Sequence, residues 1–338
     1  MPSFRTGRVL RLTSQRPGLQ RLVVSIDGRE HPAFALVDLT GPVDPGDEVV
    51  VNTTAVELGL GTGGDHVVHW NLSRATLDLP GPDHVMKLRY TSLQLDAGTA
   101  ELAHPECDRP IDGTPVIACS LHSQVPLVVL AALAVRPGLR IAYVMTDGGA
   151  LPLALSELVA AMTTRDLLCG TVTAGHAFGG DLEAVNVASA LGLAVHVQGA
   201  DVVVVGMGPG VVGTGTELGT TALEAATTLD LADAAGGVPV LCVRVATRDD
   251  RARHVGISHH TRTIARVSRC TPLIADTGGE ERNLEGVVAM AVPVVPDAAA
   301  LLAAHDLDVR TMGRGPDEDP AAFASACAAG ALAALRVP

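Results

Sequence analysis

Lysine is all but missing from this 338-residue chain: Lys87 is the only one, and the other basic residues are arginines. That absence excludes a P-loop NTPase, because no G-x-x-x-x-G-K-[ST] sequence exists, and it leaves any Schiff-base mechanism dependent on Lys87 alone. Lys87 falls in the alternating stretch Val85-Met86-Lys87-Leu88-Arg89-Tyr90, which predicts a strand with one wet face. Aromatic residues make up only 2% and the formal net charge is −13. Nucleic-acid binding, which neutralises phosphates with Lys and Arg and stacks bases on aromatic rings, is therefore disfavoured.

Long apolar runs are lacking too. The longest, Val125 to Val135, contains Pro126 and falls short of the ~20 residues that a membrane helix needs. The start, Met1-Pro2-Ser3-Phe4-Arg5, has no apolar signal core or small-residue cleavage site, so the expectation is a cytoplasmic protein with no membrane contact. Cysteines stand at 107, 119, 169, 242, 270 and 327 without a C-x-x-C pair, and several lie in apolar runs; they read as reduced core thiols. G-x-S-x-G is absent, which removes the usual sign of a serine nucleophile.

What remains is an apolar chain, 47% hydrophobic and 18% charged, able to build a large core. Its length exceeds the size at which one core usually stops growing, so two domains are expected. Strand patterns run over 7–12, 21–26, 31–37, 48–58 and 66–72, with Asp27-Gly28 and Pro45-Gly46-Asp47 as turns. Residues 1–95 thus predict a small β-barrel, in which the histidines at 66, 69 and 84 read as surface residues. Residues 96–114 form a transition rich in Gly, Pro and charge. From 115 to 338 short apolar runs alternate with Ala- and Leu-rich helical stretches, the pattern of an α/β domain with a mostly parallel sheet flanked by helices. Strands are expected near 115–120, 140–146, 167–173, 201–206 and 238–245, with one or two more within 270–296. Helices are expected near 124–134, 152–163, 181–193 and 216–234, and Pro316 to Leu335 reads as a closing helix.

In such sheets ligands bind beyond the carboxyl ends of the strands, so the residues just after each strand carry the functional reading. They are polar: Ser120-Leu121-His122-Ser123-Gln124, then Thr146-Asp147-Gly148-Gly149, then Gly175-His176 through Asp181. Asp181 reads as a helix cap and Asp147 equally as a turn residue, while His122 and His176 divide between a site role and a structural hydrogen bond. The fourth loop, Gly208-Pro209-Gly210-Val211-Val212-Gly213, matches G-x-G-x-x-G. It follows the fourth strand rather than the first, and Asp249 and Asp250 come too late for the ribose acid, so a nicotinamide or flavin is not implied. A broader reading gives Gly208, Gly210 and Gly213 backbone access to an anion, with Thr214, Thr216 and a following helix N-terminus as donors; the glycines equally suit a plain tight turn.

Further on come Ser258-His259-His260-Thr261-Arg262-Thr263. Two neighbouring side chains on an extended segment point apart, so one of the two histidines at most is expected in a shared site, and Arg262 could hold a phosphate or carboxylate bidentately. His122, Asp147, His176 and His259 are then the candidates for acid–base catalysis. No histidine pair has the spacing of a metal-binding helix, so the sequence names neither a metal nor a cofactor.

The polar loops also resemble a known family. Ser120-Leu121-His122-Ser123-Gln124, Tyr143 to Pro152, Gly175 to Asn186, Gly206 to Gly219 and Ser258 to Thr263 are together similar to an uncharacterised bacterial domain-of-unknown-function family, number 3866, found mainly in actinobacteria and firmicutes. The resemblance spans nearly the whole chain. It implies a bacterial cytoplasmic protein and brings no activity with it.

The function expected from the residues is an enzyme that binds a small anionic ligand, a nucleotide or phosphorylated metabolite. The 208–216 loop and Arg262 would hold the anion, and His176 or His259, oriented by Asp147, would move protons. The alternative is a non-catalytic metabolite-binding scaffold or sensor whose barrel contacts a protein, or RNA through Arg5, Arg8, Arg11, Arg16 and Arg21. Apolar helices and scarce lysine are compatible with a homodimer.

Overall fold

The first unit of the computed structural model, Met1–Gly98, opens with a long strand, β1 (Phe4–Arg16), that folds back on β2 (Leu19–Ile26). Asp27 and Gly28, at φ 50° and 76°, then make a two-residue turn into β3 (Arg29–Leu36), as a right-twisted hairpin requires. One helical turn, α1 (Val37–Thr40), leads to β4 (Glu48–Asn52), and another, α2 (Thr54–Glu57), to β5 (His66–Asn71). The order β1-β2-β3-β5-β4 closes as a barrel through antiparallel pairing of β1 with β4. Alternate residues, among them Val9, Leu22, Val24, Val49, Val51 and Val68, fill its interior. The structure describes residues 1–61 and 63–338.

Three details of this unit differ from the sequence reading. The strand expected over 48–58 stops at Asn52, and α2 begins at Thr54. The stretch around Lys87 pairs only briefly, β6 (Met86–Lys87) with β7 (Leu95–Asp96), because Leu88 and Tyr90 turn to positive φ; Lys87 is buried rather than wet. His66 is also buried, with its ring 5.2 Å from that of His31. Of the arginines considered for RNA, Arg5, Arg11 and Arg21 pair with Glu57, Glu30 and Asp65.

The second unit, Thr99–Pro338, is built on eight parallel strands. They are β8 (Pro115–Cys119), β9 (Ile141–Thr146), β10 (Gly170–Ala174), β11 (Leu182–Ala184), β12 (Val202–Met207), β13 (Val238–Cys242), β16 (Leu273–Asp276) and β17 (Val288–Ala291). The two-residue strands β14 (Val245–Ala246) and β15 (Gly256–Ile257) pair separately. In the order β11-β10-β9-β12-β8-β13-β16-β17 the central strands are apolar on both sides, as burial between two helix layers demands. Along β8, Ile117 and Cys119 face one layer, α3 (Gln124–Val135), α4 (Glu157–Thr164), α8 (Ala298–Ala304) and α9 (Pro320–Ala334). Val116 and Ala118 face the other, α5 (Val187–His196), α6 (Glu224–Ala234) and α7 (His259–Val267).

The long apolar run of the sequence becomes α3, whose Pro126 is tolerated in the first turn. α3 packs on α9 so closely that a Cβ on Gly330 would lie 2.1 Å from the Val128 carbonyl oxygen. Among the described residues no helix is long and apolar enough to cross a membrane, and all six cysteines are free thiols.

Two expected helices shift. Residues 182–184 form β11 instead of opening a helix, and Asp181 accepts from the N–H and hydroxyl of Thr171 at 2.8 and 2.9 Å rather than capping one; α5 starts six residues later, capped by Asn186. The helix expected from 216 starts at Glu224, after a 3₁₀ turn at Thr221–Leu223. Side-chain claims on the backbone, by Asp181 and by Thr214 and Thr216, override the helical pattern in both places.

Candidate functional site

β8 and β12 are neighbours whose following connections leave toward opposite edges of the sheet, so the crevice beyond their carboxyl ends is the topological switch point. The protein fills it with its own side chains. His122 lies with Nδ1 3.0 Å from the Met207 carbonyl oxygen, to which it can only donate. Its Nε2 is therefore the acceptor for the Ser156 hydroxyl at 2.7 Å. Ser156 caps α4 at the same time, accepting from Val159 N–H at 3.0 Å, and the Tyr143 hydroxyl donates to Gly206 O at 2.9 Å. Burial pushes His122 down to about 4, which keeps it neutral, and both its nitrogens are engaged. The arrangement makes His122 a pin between β8, β12 and α4.

At the next loops Asp147 Oδ2 accepts from the backbone N–H of His176 at 2.9 Å, so what it orients is the backbone of the turn that carries the imidazole. Glu224 Oε2 accepts from the Thr146 hydroxyl at 2.5 Å; burial raises this carboxyl, and Asp147 adds to the shift. The first glycine of the 208–213 motif serves loop packing. A Cβ on Gly208 would lie 2.4 Å from Ala150 O, and Ala150 N–H donates to Pro209 O at 2.7 Å. Gly210 has φ +100° in open space, and Gly213 lies beside the His260 ring. Thr214 and Thr216 bond each other at 2.9 Å and close on Gly219. No helix N-terminus backs them, because α6 begins eight residues after Thr216; the dipole argument for an anion at this loop falls.

The strongest concentration of chemistry lies around α7. The adjacent histidines, expected to point apart, sit in the first turn of a helix, where successive side chains are about 100° apart rather than opposed. Their ring centroids are 4.3 Å apart. His254, on the turn before β15, completes a trio at 4.9 Å from His259 and 5.0 Å from His260. One ring nitrogen from each lies within 4.8 Å of the others. Ser258, fully buried, accepts from His260 N–H at 3.3 Å and bonds His254 Nδ1 at 2.7 Å. His259 Nε2 is buried with no hydrogen-bond partner. Burial lowers all three, and nearby arginines oppose protonation further: His254 falls to about 3 and His260 to about 4.

Beside the trio lies a buried ion network. Arg251 grips Asp249 through Nε and Nη2, both at 2.9 Å, and Arg244 and Arg314 reach the same carboxylate at 3.5 and 3.6 Å. Arg314 also meets Asp319 at 3.2 Å, and Asp319 accepts from Thr247 N–H and hydroxyl at 2.8 and 2.9 Å. Arg251 holds Asp249 well below the carboxylate range, while burial brings Arg244 down to about 10. Arg244 Nη1 stands 3.5 Å from His260 Nδ1, joining network and trio.

On the outer side of α7 a cleft of about 630 Å³ opens, lined by His259, Arg262, Arg266, Arg269, Ser268 and Asn283 among others. Arg262 and Arg266 fall at i and i+4 on one face of α7, and Arg269 follows just past its C-terminal end. Arg262 and Arg266 meet Glu280 and Glu217 at 3.8 and 2.6 Å in exposed pairs.

Of the residues singled out from the sequence, His259 and Arg262 thus share one cleft, with Gly213 against His260 behind it. His122 fills the switch crevice, and Asp147 and His176 meet at the turn after β10. Sequence reading missed His254 and the Arg244–Asp249–Arg251–Arg314–Asp319 network. The only signal for His254 was its place five residues before His259, which follows no helical or strand period.

The sequence model of the family described as "protein of unknown function (DUF3866)" matches residues 32–330, and the chain belongs to that family. No curated protein matches it.

Proposed function

From a family that supplies no activity, we propose an enzyme that binds a small anionic, phosphorylated or carboxylated, ligand in the cleft on α7, with the histidine trio at its reactive end. One observation carries this reading: Arg262, Arg266 and Arg269 line the same cleft as His259, the histidine that belongs to both cleft wall and trio. Three guanidiniums outnumber the carboxylates of Glu217 and Glu285 in the lining. The pairs that Arg262 and Arg266 make with Glu280 and Glu217 are exposed, hence worth little, and an incoming anion can replace them at small cost. Guanidinium forks suit phosphate and carboxylate geometry. The 208–216 loop touches this region only where Gly213 lies beside the His260 ring, and does not serve the reading as a phosphate cradle.

The test is a thermal-shift and calorimetric screen with inorganic phosphate, nucleoside phosphates and sugar phosphates. A binder should raise the melting temperature. Arg262→Ala and Arg266→Ala should each weaken it about tenfold or more, as expected for a charge-assisted hydrogen bond of roughly 1.5–3 kcal/mol. Binding unchanged in both variants would overturn the cleft assignment. Binding without turnover of any bound compound would favour the metabolite-binding scaffold.

A further inference from the structure

We infer that His254, His259 and His260 form a binding site for one divalent transition-metal ion, of the zinc or cobalt type, with an open coordination position. The inference rests on the proposed function only in taking the trio as the reactive end of the cleft; metal binding itself needs no anion.

Three imidazoles brought within 4.8 Å by their ring nitrogens come from two segments, the turn before β15 and the start of α7. Packing alone gives a poor account of them. A buried ring nitrogen ordinarily finds a partner, yet His259 Nε2 has none. His254 Nδ1 lies 2.7 Å from the Ser258 hydroxyl, and in the tautomer in which Nδ1–H donates to it Nε2 carries the free lone pair. An outer hydrogen bond of this kind is what orients a metal-binding histidine. A guanidinium can only donate, so His260 Nδ1 also carries a lone pair, and at 3.5 Å Arg244 holds it weakly.

The donor set decides the class of ion. Three neutral nitrogens suit zinc, cobalt, nickel or copper and are unsuited to magnesium or calcium, which take oxygen. Asp249, whose charge acts on His254, is occupied by Arg251, Arg244 and Arg314. Three protein ligands with the fourth place left to solvent or substrate is the arrangement of catalytic rather than structural zinc. The arginines that oppose protonation of the trio also oppose a dication, and an anion at that fourth place would offset them, which ties the ion to the chemistry proposed for the cleft.

The test uses the tag-free full chain after chelator treatment, titrated with Co²⁺ and then Zn²⁺ in buffer without phosphate. One equivalent of Co²⁺ should produce the visible absorption of a low-coordinate nitrogen site, and Zn²⁺ should displace it. His254→Ala and His260→Ala should each weaken binding about 100-fold or more, and Ser258→Ala about 10–100-fold through the lost outer hydrogen bond. Circular dichroism and melting temperature verify that each variant folds. Absence of stoichiometric Co²⁺ or Zn²⁺ binding by the folded wild-type chain overturns the inference, as does binding that survives both histidine changes. Arg266→Ala separates the two readings. It should weaken anion binding about tenfold or more while leaving the Co²⁺ spectrum intact, so that a chain that binds metal but no anion refutes only the cleft assignment, and the reverse refutes only the metal site.

Discussion

Ser156 Oγ and His122 Nε2 lie 2.7 Å apart, and this one bond joins the cap of α4 to the loop after β8 at the point where the sheet reverses its winding. A serine–histidine pair at such a place suggests a nucleophile and its base. The geometry argues otherwise, since Ser156 is 1% exposed and committed to Val159 N–H as a helix cap, and the single N–H of the neutral imidazole is spent on a main-chain carbonyl. Ser156→Ala removes the cap, worth about 1 kcal/mol, and leaves the partly buried His122 Nε2 unpaired at a further cost of about 1–3 kcal/mol. Urea unfolding should therefore show a loss of about 2–4 kcal/mol.

His122 also gives a pH signature. Its folded value, about 4, lies below the ordinary 6.5, so between these limits the unfolded chain binds the extra proton. The stabilisation is complete above pH 6.5 and is lost as pH falls toward 4, at up to about 1.4 kcal/mol per pH unit. Unfolding free energies measured from pH 7 to pH 4.5 should fall less steeply in His122→Asn than in the wild type. Identical slopes would refute a partly buried, neutral His122.

The buried ion network should depend on its central acid. Asp249→Asn leaves Arg244, 5% exposed, without its neutralising partner, and loss of one member of a buried pair costs about 3–5 kcal/mol. Chemical denaturation should register that loss. A change below about 1 kcal/mol would mean that water reaches Arg244.

The glycines of the 208–213 motif should separate by role. Gly208→Ala forces a Cβ to 2.4 Å from a backbone oxygen and is expected to cost about 1–3 kcal/mol by overpacking. Gly210→Ala meets nothing, and its cost, about 1 kcal/mol, comes from φ +100° alone. Denaturation of the two variants in parallel checks the ranking.

Much of the architecture was legible in the residues. Alternation over 21–26 and the Asp27-Gly28 turn specify a hairpin of the barrel, and the apolar runs at 115–120, 140–146 and 201–206 specify strands buried on both faces, because period and turn chemistry are local properties of a chain. The position of the polar residues just beyond those strands was likewise readable. Their roles were not. Whether His122 reacts or pins a loop depends on Ser156 and on Met207, far away in sequence.

The histidine pair shows the limit most clearly. Sequence spacing assigned His259 and His260 to opposite sides, an inference valid for extended backbone, and the helix that begins at Ser258 turned both toward His254. The sequence by itself determined an apolar α/β chain with a barrel ahead of it, a single lysine and polar loops beyond the strands. Only the tertiary structure decided which of those polar groups meet, because the turn, the short strand and the helix start that gather His254, His259 and Arg244 follow no single period in the sequence.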